Sequence, residues 1–381
     1  MIRRAVLALG LAPRLRRLRD ALRISVLRLC SRSPLLATHN YVVASPAFRR
    51  EQRAVLYGRL RHEEDNRLAS RSEYRLRRNV HRLEKGIIMR PRREVFAAEY
   101  IEDTVLSFAE RVGELSASAH GNGNGNGNGT GHAPSAAVAL PAGEAGELRW
   151  ARDVLYAYFR VAGGHPAIER ARGRFRALGV EPEAEARPVA PYLRELSRPP
   201  AVSYDALNAL MNRRRSVRWF LPRPVPRELI DKAVLAAAQS PSACNRQPFH
   251  FRVFDDRELA VRVASLPAGT QGFEHNFPVV VAVVGRLRAY FDEKDRHVIY
   301  IDGGLAAMSF VLALETLGLA SCCINWPDVE RQERGMAKLL GLEPDERVIM
   351  LIALGWPDPD ALVPASGKKS LDALRRYNAT A

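Results

Sequence analysis

The chain has 381 residues, 47% of them hydrophobic, which is long enough for two domains and ordinary for a globular protein. Its formal charge of +16 is unusual and unevenly placed: residues 201–381 hold 23 Lys+Arg and 21 Asp+Glu, leaving 35 and 21 in residues 1–200. Four scattered cysteines (Cys30, Cys244, Cys322, Cys323) exclude a disulfide framework, no Cys/His spacing forms a metal site, and a reducing, cytoplasmic setting is expected.

In chain order, Met1–Arg32 carries nine arginines against the single acid Asp20. The apolar run Ala5–Ala12 is broken early and lacks a cleavage site, so no secretory signal is expected. Leu15, Leu18, Leu22, Ile24, Val26 and Leu27 roughly share a helical face. This leaves two readings: a solvated Arg-rich arm, or a cationic amphipathic helix making peripheral membrane contact. No transmembrane span is expected, because the most apolar segment, Gly303–Ala320, is short and carries Glu315.

Residues 1–200 read as mainly helical, with candidates at Ala47–Leu83, Arg93–Ser118, Glu144–Phe159 and Ala167–Leu178. His81–Gly86 reads as a charged helix end stopped by its glycine. The Gly/Asn tract at 121–131 has nothing to bury and reads as a linker. Pro188, Pro191, Pro199 and Pro200 mark a boundary, giving a basic region 1–200 and a second domain 201–381. There the pattern changes to helices at Tyr204–Arg213, Glu228–Gln239 and Asp302–Leu317, and strands at Phe249–Phe254, Pro278–Gly285, Ala320–Asn325 and Val348–Gly355. Such mixing implies an α+β domain with helices packed on a sheet. Asp302–Leu317 is apolar on nearly all sides, as in a core or dimer interface. Cys322 and Cys323 read as small apolar fillers of a strand.

Two segments carry the chemistry. In Arg214-Arg215-Ser216-Val217-Arg218, planar donors and a hydroxyl suit a phosphate, although the spacing of the cluster alone favours a solvated basic run. In Ser240-Pro241-Ser242-Ala243-Cys244-Asn245-Arg246-Gln247-Pro248, prolines stiffen a polar loop whose amides and hydroxyl can pair with the edge of a flat heterocycle. His250 and Asp302 read as structural, Asp302 as a helix N-cap. No catalytic triad or paired carboxylates are present in the sequence.

Taken together, these segments resemble the signature of the FMN-dependent nitroreductase family over residues 205–377, and Leu319–Trp326, Leu354–Pro357 and Gly367-Lys368-Lys369 follow that family's order. The resemblance implies a nitroreductase-like fold: a central mixed sheet flanked by helices in an intertwined homodimer. It also implies an enzyme, an FMN-dependent oxidoreductase in which NAD(P)H and an acceptor react in ping-pong order through flavin N5. Cofactor binding would fall to Arg214, Arg215, Ser216, Arg218, Asn325, Trp326 and Lys368 of one subunit and Pro241, Ser242, Ala243, Asn245 and Gln247 of the other, with the Asn325 and Trp326 backbone near N5. Trp326 would either narrow the pocket or serve as a core aromatic, and Gln271 is a further candidate to face the ring. Lys368 or Lys369 stands where the family usually has an arginine. Competing expectations are a flavin-dependent dehydrogenase or oxidase of a biosynthetic, polysaccharide-type pathway, and a non-catalytic scaffold docking through its basic half. Nucleic-acid binding is not expected, since no aromatic residues interleave with the charge.

Overall fold

The computed structural model describes residues 11–67, 73–121, 145–182 and 187–379. The apolar run Ala5–Ala12 falls almost wholly outside these residues, as does the Gly/Asn tract beyond Gly121. The chain forms two compact units, Met1–Leu56 and Tyr57–Ala381.

The first unit is helical. Helix α1 spans Leu11–Cys30, and α2 spans Pro34–His39 with Ser33 as N-cap, its hydroxyl accepting from Leu35 N at 3.3 Å. A π-turn, Asn40–Ala44, follows, and Tyr41 meets Phe48 edge-on at 4.5 Å. Helix α3, Arg49–Arg67, contains the division between units.

In the second unit a helical layer comes first: α4 (Glu73–Ile88), α5 (Ile101–Gly121), α6 (Ala145–Val161) and α7 (Pro166–Ala177). Leu76, Val80 and Leu83 of α4 and Ile101, Val105 and Phe108 of α5 recur at helical spacing and close one core with Leu155, Tyr158, Ile168 and Phe175. Two expectations need adjustment here. Helix α5 starts at Ile101 rather than Arg93, because Ala97 takes a left-handed φ of 62° and turns the chain first. Helix α4 runs past Gly86 to Ile88, so that glycine is no stop.

The sheet follows, flanked on both faces. Its strands are β1 (Phe249–Phe254), β2 (Val279–Arg286), β3 (Ala320–Asn325) and β4 (Glu346–Gly355), in the order β1-β2-β4-β3. All three pairings are antiparallel; the expected mixed character is confined to one parallel bridge, Ser216 to Ser321. Strand β2 shows why the sequence here is a valine run without polar residues. Val279, Val281 and Val283 join the core under helices α9 (Arg227–Ala237) and α11 (Val298–Thr316), while Val280, Ala282 and Val284 join the opposite core with Ala260 and Val263 of α10 (Arg257–Ala264) and Met336 of α12 (Glu330–Leu340). A short α13, Leu371–Leu374, is the last described helix.

The segment Glu293–Thr316 is long and apolar enough to cross a bilayer by length and composition. It is nonetheless a core element: Ala306, Phe310, Val311 and Leu314 pack on the sheet, and Phe310 stacks on Phe251 at 5.0 Å. The helix α8, Tyr204–Arg213, is tied to its end by Arg213 and Glu315 at 2.8 Å.

The compact unit that holds the sheet begins at Tyr57. Tyr57 Oη donates to Glu343 at 3.0 Å, Arg59 pairs with Glu293, and His62 Nδ1 meets the Arg288 carbonyl at 2.8 Å. Burial holds the His62 ring below its ordinary pKa, so at neutral pH it donates that bond as a neutral imidazole. Arg288 is itself gripped by buried Asp345 through two bonds of 2.7 and 2.5 Å. Gly58 permits this approach: a Cβ there would lie 2.8 Å from Leu287 Cβ and 3.2 Å from Arg288 N. Gly58→Val is therefore expected to destabilise the second unit by about 1–3 kcal/mol, read as a lower urea midpoint with an unchanged slope.

Candidate functional site

The arginine cluster leaves α8 and runs beside β3. Val217 N donates to Ser321 O at 3.0 Å, and Val217 enters the core, so its neighbours on either side face outward. Arg214, Ser216 and Arg218 all act on the Cys322 thiol: burial raises its pKa, while Arg218, a hydrogen bond to Ser216 and Arg214 pull it down. Three groups suited to an anion therefore converge at one edge of the sheet. None of Arg214, Arg215 and Arg218 has a carboxylate partner among the described residues, unlike Arg213. Cys323 is exposed, so of the two adjacent cysteines only Cys322 is a filler.

At the other edge, the amide loop precedes β1. Cys244, Asn245 and Gln247 hold φ values of 53°, 52° and 50°, costly for residues with a Cβ. The surroundings hold this shape. Asp302 accepts from Ala243 N at 3.2 and 3.1 Å through its two oxygens, and from Tyr290 Oη at 2.7 Å. The Ser242 hydroxyl accepts from Gln247 N at 3.0 Å, and Ser240 and Ser309 hydroxyls meet at 2.7 Å. From the helical layer, Arg77 Nε donates to Asn245 O at 2.9 Å. The Gln247 amide reaches Ala238 O at 3.3 Å and Asn245 Oδ1 at 3.4 Å, so part of the loop's hydrogen-bonding capacity organises the loop itself.

Asp302 is thus not an N-cap. It lies within α11, buried, and desolvation raises its pKa against the opposing pull of Tyr290, Ala243 N–H and Arg246. Burial and then the bond to Asp302 push the Tyr290 phenol upward. Arg246, also buried, lies over the Tyr290 ring at 4.9 Å. Nothing in the sequence signalled that Arg77, Tyr290 and Asp302 would meet this loop.

The two motifs are not brought together in one chain. Ser216 sits beside the start of β3, and the loop enters the start of β1; these strands form opposite edges, three spacings or about 14 Å apart. Through the register, Ser321 opposes Leu354, Leu354 opposes Val279, and the β2 start opposes the end of β1, not its beginning. The motifs therefore also lie at opposite ends of the sheet, on the order of 20 Å apart.

Of the remaining expected residues, Asn325 is exposed at the end of β3, paired with Met350. Trp326 turns its side chain into the core, where Nε1 donates to Glu333 at 2.7 Å; it caps nothing, and only its backbone remains available to a ligand. Lys368 and Lys369 lie on an exposed tail, with no contact to the arginine cluster among the described residues. Pro241 is exposed at the loop's start. Gln271 lines a separate hollow of about 550 Å³ with Leu266 and Arg331. A larger cavity, about 850 Å³, opens between the helical layer and the amide loop. Arg77, Trp150 and Tyr192 line it opposite Ser240, Asn245 and Gln247, with Arg77 lying 5.5 Å from the Trp150 ring and Arg187 4.8 Å from Tyr192. His250, on β1, accepts from Arg252 Nε at 3.0 Å; burial and then Arg286 lower its pKa to about 4, which supports a structural role.

The arginine cluster and the amide loop both lie within the stretch that is similar to known proteins. A sequence model of the nitroreductase family matches residues 211–356. A protein of Methanothermobacter thermautotrophicus bearing the name NADH dehydrogenase/NAD(P)H nitroreductase is 30% identical over 154 residues, covering 40% of this chain and 78% of that protein. Iodotyrosine deiodinase 1 of Pongo abelii is 23% identical over 193 residues, covering 43% of this chain and 66% of its own. Among solved structures, an FMN-dependent nitroreductase of Clostridium difficile aligns over 45% of this chain and 98% of its own, at 22% identity and a TM-score of 0.38. The chain belongs to the nitroreductase family, and oxidoreductase chemistry in general goes with it.

Asp302→Ala would strand the Ala243 N–H and the Tyr290 hydroxyl, and is expected to cost about 2–4 kcal/mol in chemical denaturation. His250 supplies a pH test. Its folded pKa of about 4 lies below the unfolded value of about 6.5, so the unfolded state takes up its proton first as pH falls. The stability linked to neutral His250 is present above the unfolded value and lost as pH drops through the window down to about 4. His250→Asn should flatten the slope of stability against pH within that window.

Proposed function

We propose that this protein is an FMN-dependent oxidoreductase that draws reducing equivalents from NAD(P)H, and that it acts as a homodimer whose two sites are each shared between chains. The observation that carries this reading is the placement of the two motifs at opposite edges and ends of one sheet. A cofactor that needs both an anion site and an amide edge is served when a second chain brings its loop to the first chain's arginines. An apolar face suited to such pairing lies on α11 and α8, where Ile301, Leu305, Met308, Leu207 and Met211 are exposed.

The residues present fit FMN. Arg214 and Arg218 offer planar forks, and Ser216 a hydroxyl, for a phosphate, with Arg215 beside them and Lys368 as a further cation on the tail. From the other chain, Pro241, Ser242, Ala243, Asn245 and Gln247 present hydroxyl, amide and backbone groups on a loop whose shape is already set, so little ordering entropy is lost on binding. Asn325 and the Trp326 backbone would stand at the ring. When bound, FMN supplies the two-electron acceptance and release that no side chain here can perform. The protein's own part is orientation. Asp302 and Arg77 fix the loop, and the packed Trp326 ring fixes the backbone after β3. Trp150 and Tyr192, in the cavity against the loop, favour a flat aromatic acceptor. The name of the iodotyrosine deiodinase relative, which specifies an aromatic amino acid, supports the same substrate class.

The purified protein is expected to be yellow. Arg214→Ala/Arg218→Ala should weaken FMN binding by at least about tenfold, and Ser242→Ala/Asn245→Ala should also reduce it. Co-expressing these two variants tests the shared site directly: a mixed dimer has one intact site and one carrying both lesions, so recovery of up to half the flavin is expected in the isolated heterodimer. No recovery would rule out the shared site, and a colourless wild-type chain that cannot be reconstituted with FMN would rule out the flavin. Absence of flavin reduction by both NADH and NADPH would remove the nicotinamide donor.

A further inference from the structure

The first unit presents a different kind of surface. Every residue described between Arg17 and Arg53 is at least partly exposed, and neither α2 nor the π-turn buries a residue. Yet thirteen large hydrophobic side chains between Leu15 and Phe48 are among the exposed ones, Leu35 at 81%. Regular helix with so much uncovered apolar surface calls for an apolar partner, because burial of such area is what ordinarily repays the ordering of the chain.

Helix α1 shows which partner. At 100° per residue, Leu15, Leu18, Leu22, Val26 and Leu29 fall within an arc of about 80°, and all five are exposed, Leu18 at 68% and Leu22 at 67%. Arg19 borders this stripe, while Arg17, Arg23 and Arg28 lie round the rest of the helix with Asp20, which Arg19 approaches at 3.6 Å. Ile24 and Leu27 are exposed outside the stripe. The segment Leu11–Cys30 holds six arginines and one acid.

We propose that α1 docks on an anionic lipid bilayer surface, lying in the interface with its leucine stripe among the acyl chains and its arginines at the headgroups. Charge separates this occupant from a second copy of the helix, which would set one strongly cationic surface against another. Anionic headgroups relieve that charge instead, and long arginine side chains reach them from the flanks of a helix lying in the interface. A nucleic acid would match the charge but leave the stripe uncovered.

The test is co-sedimentation of the full-length protein with vesicles of phosphatidylcholine alone and of phosphatidylcholine with phosphatidylglycerol. Binding to the mixed vesicles is expected, weak for the neutral ones, and weaker as salt rises from about 0.05 to about 0.5 M. Leu18→Glu/Leu22→Glu should lower partitioning by at least about tenfold, and Arg17→Gln/Arg19→Gln/Arg23→Gln, which keeps the apolar stripe and helix-forming side chains, should lower binding to the anionic vesicles alone. The thermal unfolding of the second unit should be the same in all three proteins. Equal binding to both vesicle types would overturn the role of charge. Failure to bind either would overturn the proposal, as would self-association, measured by light scattering, that the leucine double variant abolishes while vesicle binding is absent.

Discussion

The carboxylate of Asp302 is the contact on which the candidate site depends. From one buried position in α11 it holds the amide loop by a backbone N–H and the Tyr290 hydroxyl by its second bond. A loop with three left-handed non-glycine residues does not keep that shape by local preference; something must over-determine it. Asp302 does so from beneath and Arg77 from the helical layer, gripping Ala243 and Asn245 two residues apart. The helical layer is therefore more than an appendage, since one of its arginines forms part of the loop's support.

The sheet supplies the second constraint. Four antiparallel strands in the order β1-β2-β4-β3 separate the arginine cluster from the amide loop in both directions of the sheet plane. Rigid strands cannot bend to close a gap of that size, so in the proposed dimer proximity would come from symmetry. If each edge holds half of a ligand site, as proposed, the ligand would also be a reason for association. Bound groups that bridge two chains stabilise the assembly by mass action as well as by contact.

Much of this was legible in the sequence where one physical signal dominated. The valines of β2 left no interpretation but a strand covered on both faces, and β3 begins and ends where the pattern indicates. The two motifs were readable because fixed charge and proline-bounded amides are rare in combination. Other features were hidden for definite reasons. Asp302 finds its backbone partner 59 positions away, and its place beside a glycine pair imitates a cap. Arg77 carries no signal of its own, because it belongs to an arginine-rich helix whose inward face is evident only after Leu76, Val80 and Leu83 are packed. Trp326 was ambiguous until Glu333 appeared as its hydrogen-bond acceptor. The antiparallel register could not be read from alternation, which is the same for either strand direction.

One irregularity in β4 has a wider meaning. Val283 faces Met350 while Val284 faces Val348, so Ile349 is the extra residue of a bulge, and its side chain projects toward Gly303 of α11, where no Cβ stands in its way. The strand has a residue too many and the helix a side chain too few, and the two anomalies fill one another. Positions 303 and 349 therefore form a single packing unit. Among homologous chains, the bulge and the glycine should be gained or lost together, and a graft that moves β4 without α11 would bring over only half of a fitted pair.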